Sequence, residues 1–146
     1  NQYGGNLQTF VRHKTIFDTG VHYIGGLTEG QNLHQYFKYI DILEGLTFHK
    51  LDEDGFDIIS FDNDPKEYKH AQGYDNFIKN LLEEFPEEEE GIRIYCDKLQ
   101  ETCKKFPLYS LQKGKPYYDD AEIFQLPAKD FINSFTKNKK LQAVLA

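Results

Sequence analysis

Asp18, Gly20, His22 and Tyr23 fall close together in the stretch IFDTGVHYIGG, residues 16–26. A carboxylate, an imidazole and a phenol are side chains that give and take protons in enzyme sites, and glycine lets a flat ligand or a second backbone approach closely. Of the five histidines, only His22 lies in a glycine-bounded setting where its ring faces a ligand; His13, His34, His49 and His70 read as surface or hydrogen-bonded groups. Other common chemistries find no footing. There is no nucleophile elbow, no phosphate loop and no histidine pair at zinc-binding helical spacing. GGLTEG, residues 25–30, is glycine-rich but has the wrong order for a dinucleotide fingerprint and reads as a loop. Asp52 and Asp54 resemble the start of a calcium loop, but its sixth and twelfth positions would be Asp57 and Asn63 where glycine and glutamate are needed, so a turn is expected. Cys96 and Cys103 are seven residues apart on a helical stretch, roughly 10 Å along one face, and read as packed thiols.

The elements that position these groups follow from periodicity. LQTFVR and TIFD, rich in Thr, Val, Ile and Phe, predict two strands joined by a tight turn at His13–Lys14. Leu33, Tyr36, Phe37, Ile40 and Leu43 predict an amphipathic helix over 30–43. From Leu46 to Gln72, β-rich runs on both sides of DEDG and a third after DNDP predict a three-stranded antiparallel meander. Tyr74, Phe77, Ile78, Leu81, Leu82 and Phe85 share one face of a second helix. Pro86 opens a third, with the glutamates 87–90 at its positive end and Lys104 and Lys105 at its negative end. Ile92, Tyr95, Cys96, Leu99, Cys103 and Phe106 form its stripe, Gly91 interrupts it, and Pro107 stops it. After the polar connection QKGKPYYDD, Pro127 opens a short helix and NKKLQAVLA is again helix-like. The class is α+β: an antiparallel sheet of hairpins or a meander covered by several amphipathic helices.

Composition sets limits on partners. With 146 residues, 39% of them hydrophobic, the chain is long enough for a core. Its net charge of −7, with no basic stripe, argues against nucleic acid. No apolar run approaches the roughly 20 residues of a transmembrane helix. The chain has no Met and opens on NQYGG, so an internal piece of a longer protein is expected.

YGGNLQTFVR followed by FDTGVHYIGG resembles the stretch just after the dinucleotide fingerprint in FAD-dependent oxidoreductases of the phytoene dehydrogenase group, especially the retinol saturase branch. GQNLHQYFKYI, the segment around DEDGFDIISF, YDNFIKNLLEEFPEEEEGI and NKKLQAVLA resemble the same branch in the same order. The resemblance implies that residues 1–26 border the FAD site and that 27–146 form a substrate-binding domain truncated at its C-terminal end. It implies that Gly4 and Gly5 bring the backbone near the dinucleotide, where the residues alone suggest only a glycine turn. Phe17 to Gly20, including Thr19, would pass the flavin ring, with Asp18 holding the turn through backbone amides and Gly20 giving close approach. His22 and Tyr23 would face flavin and substrate as the catalytic candidates. The implied activity is reduction or introduction of a carbon–carbon double bond in an apolar isoprenoid, carotenoid or retinoid-like molecule through FAD, with NAD(P) left open as the outer electron donor. The fingerprint G-x-G-x-x-G does not occur in these residues, so they are expected neither to retain FAD nor to turn over alone. A cytoplasmic location is expected, with peripheral membrane association of the longer protein suggested by the apolar substrate. Two other readings stay open: a noncatalytic aromatic-rich binding module, and an amine-oxidase-like flavoprotein.

Overall fold

A computed structural model describes residues 3–111, 113 and 125–146. It divides the chain into two units, Asn1–Thr47 and Phe48–Ala146, and both contain an antiparallel hairpin and helix, as an α+β chain should. Most of the connection QKGKPYYDD lies outside the described residues.

In the first unit β1 (Thr9–Arg12) pairs antiparallel with β2 (Thr15–Asp18), Phe10 opposite Phe17 and Val11 opposite Ile16. His13 (φ 50°) and Lys14 (φ 66°) close the two-residue loop in the left-handed region that primed hairpin turns require. A loop follows, then α1 (Asn32–Tyr39), shorter than the 30–43 predicted. Its first turn is preceded by Gln31, whose side chain accepts from the Thr28 amide rather than capping the helix. No side chain in the described part of this unit is buried.

The second unit holds the hydrophobic core. Tyr68, Phe77, Ile78, Leu81, Phe85, Ile92, Cys96, Ile132, Leu141, Val144 and Leu145 form one buried cluster. β3 (Asp57–Ser60) and β4 (Glu67–His70) pair antiparallel, and the strand period turns Ile59 and its partner Tyr68 to the core. α2 (Tyr74–Glu84) lies against them through Phe77, whose ring stacks on His70 at 4.7 Å. A single 3₁₀ turn, Pro86–Glu88, leads into α3 (Glu89–Lys105), with acids in its first turn and Lys104 and Lys105 in its last. Ile92 and Cys96 are buried as the spacing predicted, Cys103 and Phe106 are half-buried, and Leu99 is exposed. Pro107 does not simply stop the helix; it begins a single further turn, α4 (Pro107–Ser110).

Gly91 has a packing reason. A Cβ there would sit 2.8 Å from Phe135 Cδ2, so the helix accepts glycine's propensity penalty of about 1 kcal/mol to let α5 (Ala128–Phe135) come close. α6 (Lys139–Val144) is capped by Asn138, whose carboxamide oxygen accepts from the Lys140 and Leu141 amides at 3.0 and 3.2 Å.

The three-stranded meander is not found: residues 46–51 form no strand. Gln72 Nε2 donates to Leu51 O and Asp52 O, Asn76 Nδ2 to Glu53 O, and Asn80 Nδ2 to Asp54 O. Three amide side chains reaching back from β4's end and α2 thus hold the carbonyls of the turn from Leu51 to Asp54. The DEDG segment is a turn, as expected, with the Asp54 amide donating to Asp52 Oδ1 at 2.8 Å. Among the described residues no cluster suits a metal ion. Both cysteines are free, and burial pushes the Cys96 thiol up to about 11.

Asp64 ties the β3–β4 connection to α6. It accepts from Lys140 Nζ (2.8 Å), the Lys66 amide (3.0 Å) and the Tyr68 hydroxyl (3.0 Å), while Lys140 lies 4.3 Å above the Phe61 ring. The Lys140 hydrogen bond, then the Lys66 amide, hold the Asp64 carboxyl at about 2.

Two expectations follow. Ile92→Ala and Leu141→Ala, at fully buried positions, should each lower unfolding free energy in urea by about 2–5 kcal/mol, whereas Ile58→Ala, on the exposed face of β3, should change it by less than about 1 kcal/mol. Because the folded Asp64 carboxyl lies below its unfolded value near 3.9, its stabilisation is present above that value and is lost as pH falls toward 2. Thermal melts of Asp64→Asn should lie below the parent at pH 5 and converge with it near pH 2; a gap that stays constant with pH would contradict this.

Candidate functional site

The glycines at the start of the chain bend it back before β1. Gly4 (φ 115°) and Gly5 (φ 53°) both occupy the left-handed region, and the Leu7 amide donates to Gly4 O at 2.8 Å. A Cβ on Gly4 would press on the Gln8 amide at 3.3 Å; one on Gly5 would meet nothing within 4 Å. The bare side of Gly5 is therefore an open stretch of backbone.

The β1–β2 ladder continues one pair past the strands. The Thr19 amide donates to Gln8 O at 3.0 Å, and the Thr19 hydroxyl donates to the same carbonyl. Gly20 then passes so near Asn6 that a Cβ would lie 3.2 Å from its carbonyl oxygen. These contacts fix the chain where FDTG gives way to VHY.

Asp18, expected to hold this turn through backbone amides, does not do so among the described residues; Thr19 takes that part. The reason is register: Asp18 closes β2 opposite Thr9, and its carboxylate faces His22, with Oδ2 3.9 Å from Nδ1. The two side chains are 52% and 68% exposed. Tyr23, also half exposed, follows directly. Beyond it Gly26 (φ 75°) turns the chain toward α1, its carbonyl accepting from the His34 amide at 2.9 Å. Thus Gly4, Gly5, Asp18, Thr19, Gly20, His22 and Tyr23 all belong to one unit, and Asp18 and His22 are brought together.

Phe10 and Phe17 add an apolar face. Their rings stack at 5.4 Å and 18°, yet each keeps nearly half its surface in water. Reading the sequence placed Phe17 in the segment that would pass the flavin ring, but singled out neither Phe10 nor the Gln8 and Asn6 carbonyls that fix the turn. The signal for the rings was present in the hairpin register, since a two-residue loop at His13–Lys14 places Phe10 across from Phe17. Backbone carbonyls leave no such trace in residue type.

The chain is 37% identical over 119 residues to a human protein named all-trans-retinol 13,14-reductase, a match covering 77% of this chain and 18% of that protein. The rat and Macaca fascicularis proteins of the same name are 35% and 37% identical over 100 and 98 residues. This chain is similar to the retinol reductases. It spans less than a fifth of the length of these curated relatives. No known family profile and no solved structure matches it.

Of the glycines at 4, 5 and 20 only Gly5 leaves a bare face, since Gln8 closes Gly4 and the Asn6 carbonyl closes Gly20. That face and the uncovered Phe10–Phe17 rings fit a flat, largely apolar cofactor with a polar tail. The geometry also distinguishes the glycines from one another. Gly4→Ala and Gly20→Val should displace the amide resonances of Gln8 and Thr19 in a ¹H–¹⁵N spectrum, through strain in the first and the Asn6 carbonyl in the second. Gly25→Ala, which faces open space at an ordinary φ, should leave both resonances in place.

Proposed function

We propose that this chain is part of an FAD-dependent oxidoreductase, related to the phytoene dehydrogenase group, that reduces a carbon–carbon double bond in a retinoid-like substrate. The similarity to retinol reductases over 119 residues carries this reading. The open glycine turn supports it.

Gly4 and Gly5 would let the backbone approach the dinucleotide, and Asp18, Thr19 and Gly20 would border the flavin ring. When bound and reduced, the flavin would supply the hydride, with reduced NAD(P)H as the class of outer donor. The chain's own residues do the rest. The Phe10–Phe17 face excludes water from an apolar ligand, Thr19 holds the turn through Gln8 O, and His22 and Tyr23 hold or deliver a proton on the substrate side. The substrate is a small apolar polyene, and among the described residues no helix is long and apolar enough to cross a membrane. Peripheral contact of the longer protein with a lipid surface would give access to such a substrate.

These residues alone should purify without flavin, whereas the intact protein should show a bound-flavin absorption spectrum and convert retinol to a product two hydrogens heavier. In the intact protein His22→Ala should lower kcat by about 10²-fold or more while the flavin spectrum is kept. Intact protein that binds no flavin would overturn the reading; unchanged turnover in His22→Ala and Tyr23→Phe would remove both from catalysis.

A further inference from the structure

The Asp18–His22 contact carries more than either residue does alone. As an exposed pair four residues apart it contributes little to stability, about 1 kcal/mol or less. Its position is what matters. Thr19, next to Asp18, is tied to Gln8 O through both its amide and its hydroxyl, and Gly20 is pressed against Asn6 O. The backbone between the carboxylate and the imidazole is therefore fixed, and Asp18 is presented to one ring nitrogen of His22, Nδ1.

We propose that Asp18 is the positioning residue for His22, holding the Nδ1–H tautomer so that Nε2 is the nitrogen that exchanges a proton with the ligand. A carboxylate beside Nδ1 selects that tautomer because an oxygen anion accepts from N–H and repels a ring lone pair. The 3.9 Å separation is roughly 1 Å beyond a hydrogen bond. Catalytic hydrogen bonds are commonly long in unliganded sites and tighten when the site closes. Asp18 thus acts through His22, not on the substrate.

This deepens the proposed function and rests on it for the direction of the proton. With the hydride arriving at one alkene carbon, the π electron pair moves to the neighbouring carbon. The Nε2–H bond of the imidazolium breaks as the C–H bond forms there, the imidazole is left neutral, and water restores its proton. Reduction then consumes one hydride and one proton per double bond, and the only change in the side chains is a proton lost and regained at Nε2.

The test separates the pair from the reaction. Imidazole ¹⁵N shifts of the intact protein labelled at histidine, recorded above neutrality, should show His22 mainly as the Nδ1–H tautomer. In Asp18→Ala it should revert to the Nε2–H form that a free imidazole favours, and in Asp18→Glu the Nδ1–H form should be largely kept. Identical tautomer populations in the parent and Asp18→Ala would overturn the proposal. In the intact enzyme Asp18→Ala should lower kcat about tenfold or more with KM little changed, and Asp18→Glu should restore much of it; a drop that appears in KM alone would also overturn it. If the tautomer shifts as stated but the intact protein carries no flavin, the pair stands and the oxidoreductase reading fails.

Discussion

Contact with water governs the first 47 residues, because from Tyr3 to Thr47 no side chain is buried, although Phe10, Phe17, Val11 and Ile16 lie side by side on one hairpin. A two-stranded ribbon has two faces and two edges, and without a layer against at least one face it is marginally stable in water. Exposed apolar surface costs roughly 25 cal/mol for each Å², so the hairpin is a surface that awaits cover. The second unit shows what cover does, since its β3–β4 hairpin, no longer than β1–β2, turns Ile59 and Tyr68 onto Phe77, Phe85 and their neighbours. The same element in the two units differs in what lies on it.

That difference gives the FDTGVHY stretch its character. The turn is well determined by short-range means: left-handed glycines, a threonine bonded twice to one carbonyl, and a glycine with no room for a side chain. Its outer side is left open, with the imidazole and phenol beside it. A site built this way supplies one wall, and the relatives it resembles are more than five times as long as the matched segment.

Much of the fold could be read from the chain. Where burial and periodicity agree, as in Phe77, Ile78 and Leu81 of α2, or Ile92 and Cys96 of α3, the helices fall within a residue or two of expectation. The β1–β2 hairpin was legible even though its turn is His13–Lys14, because the strands on either side are rich in β-branched and aromatic residues. The meander was misread: residues 46–51 have strand-like composition but form no strand, and the Gln72, Asn76 and Asn80 amides hold the carbonyls of the turn from Leu51 to Asp54. Side chains twenty or more residues away hold that turn, and no local pattern reveals them. At the candidate site the residue types were legible and their partners were not. The resemblance implied that Asp18 holds the turn, yet its carboxylate lies toward His22 and the turn is left to Thr19.

Amide hydrogen exchange across residues 9–26 tests the central claim most directly, because exchange reports whether a segment is covered and held or open to water. The hairpin and the turn after it should exchange quickly in the 146-residue chain and be strongly slowed in the intact, flavin-loaded protein, with the core amides of α2 and α3 protected in both. Equal, rapid exchange of residues 9–26 in the two forms would mean that nothing rests against this surface, and the account of it as one wall of a flavin site would be wrong.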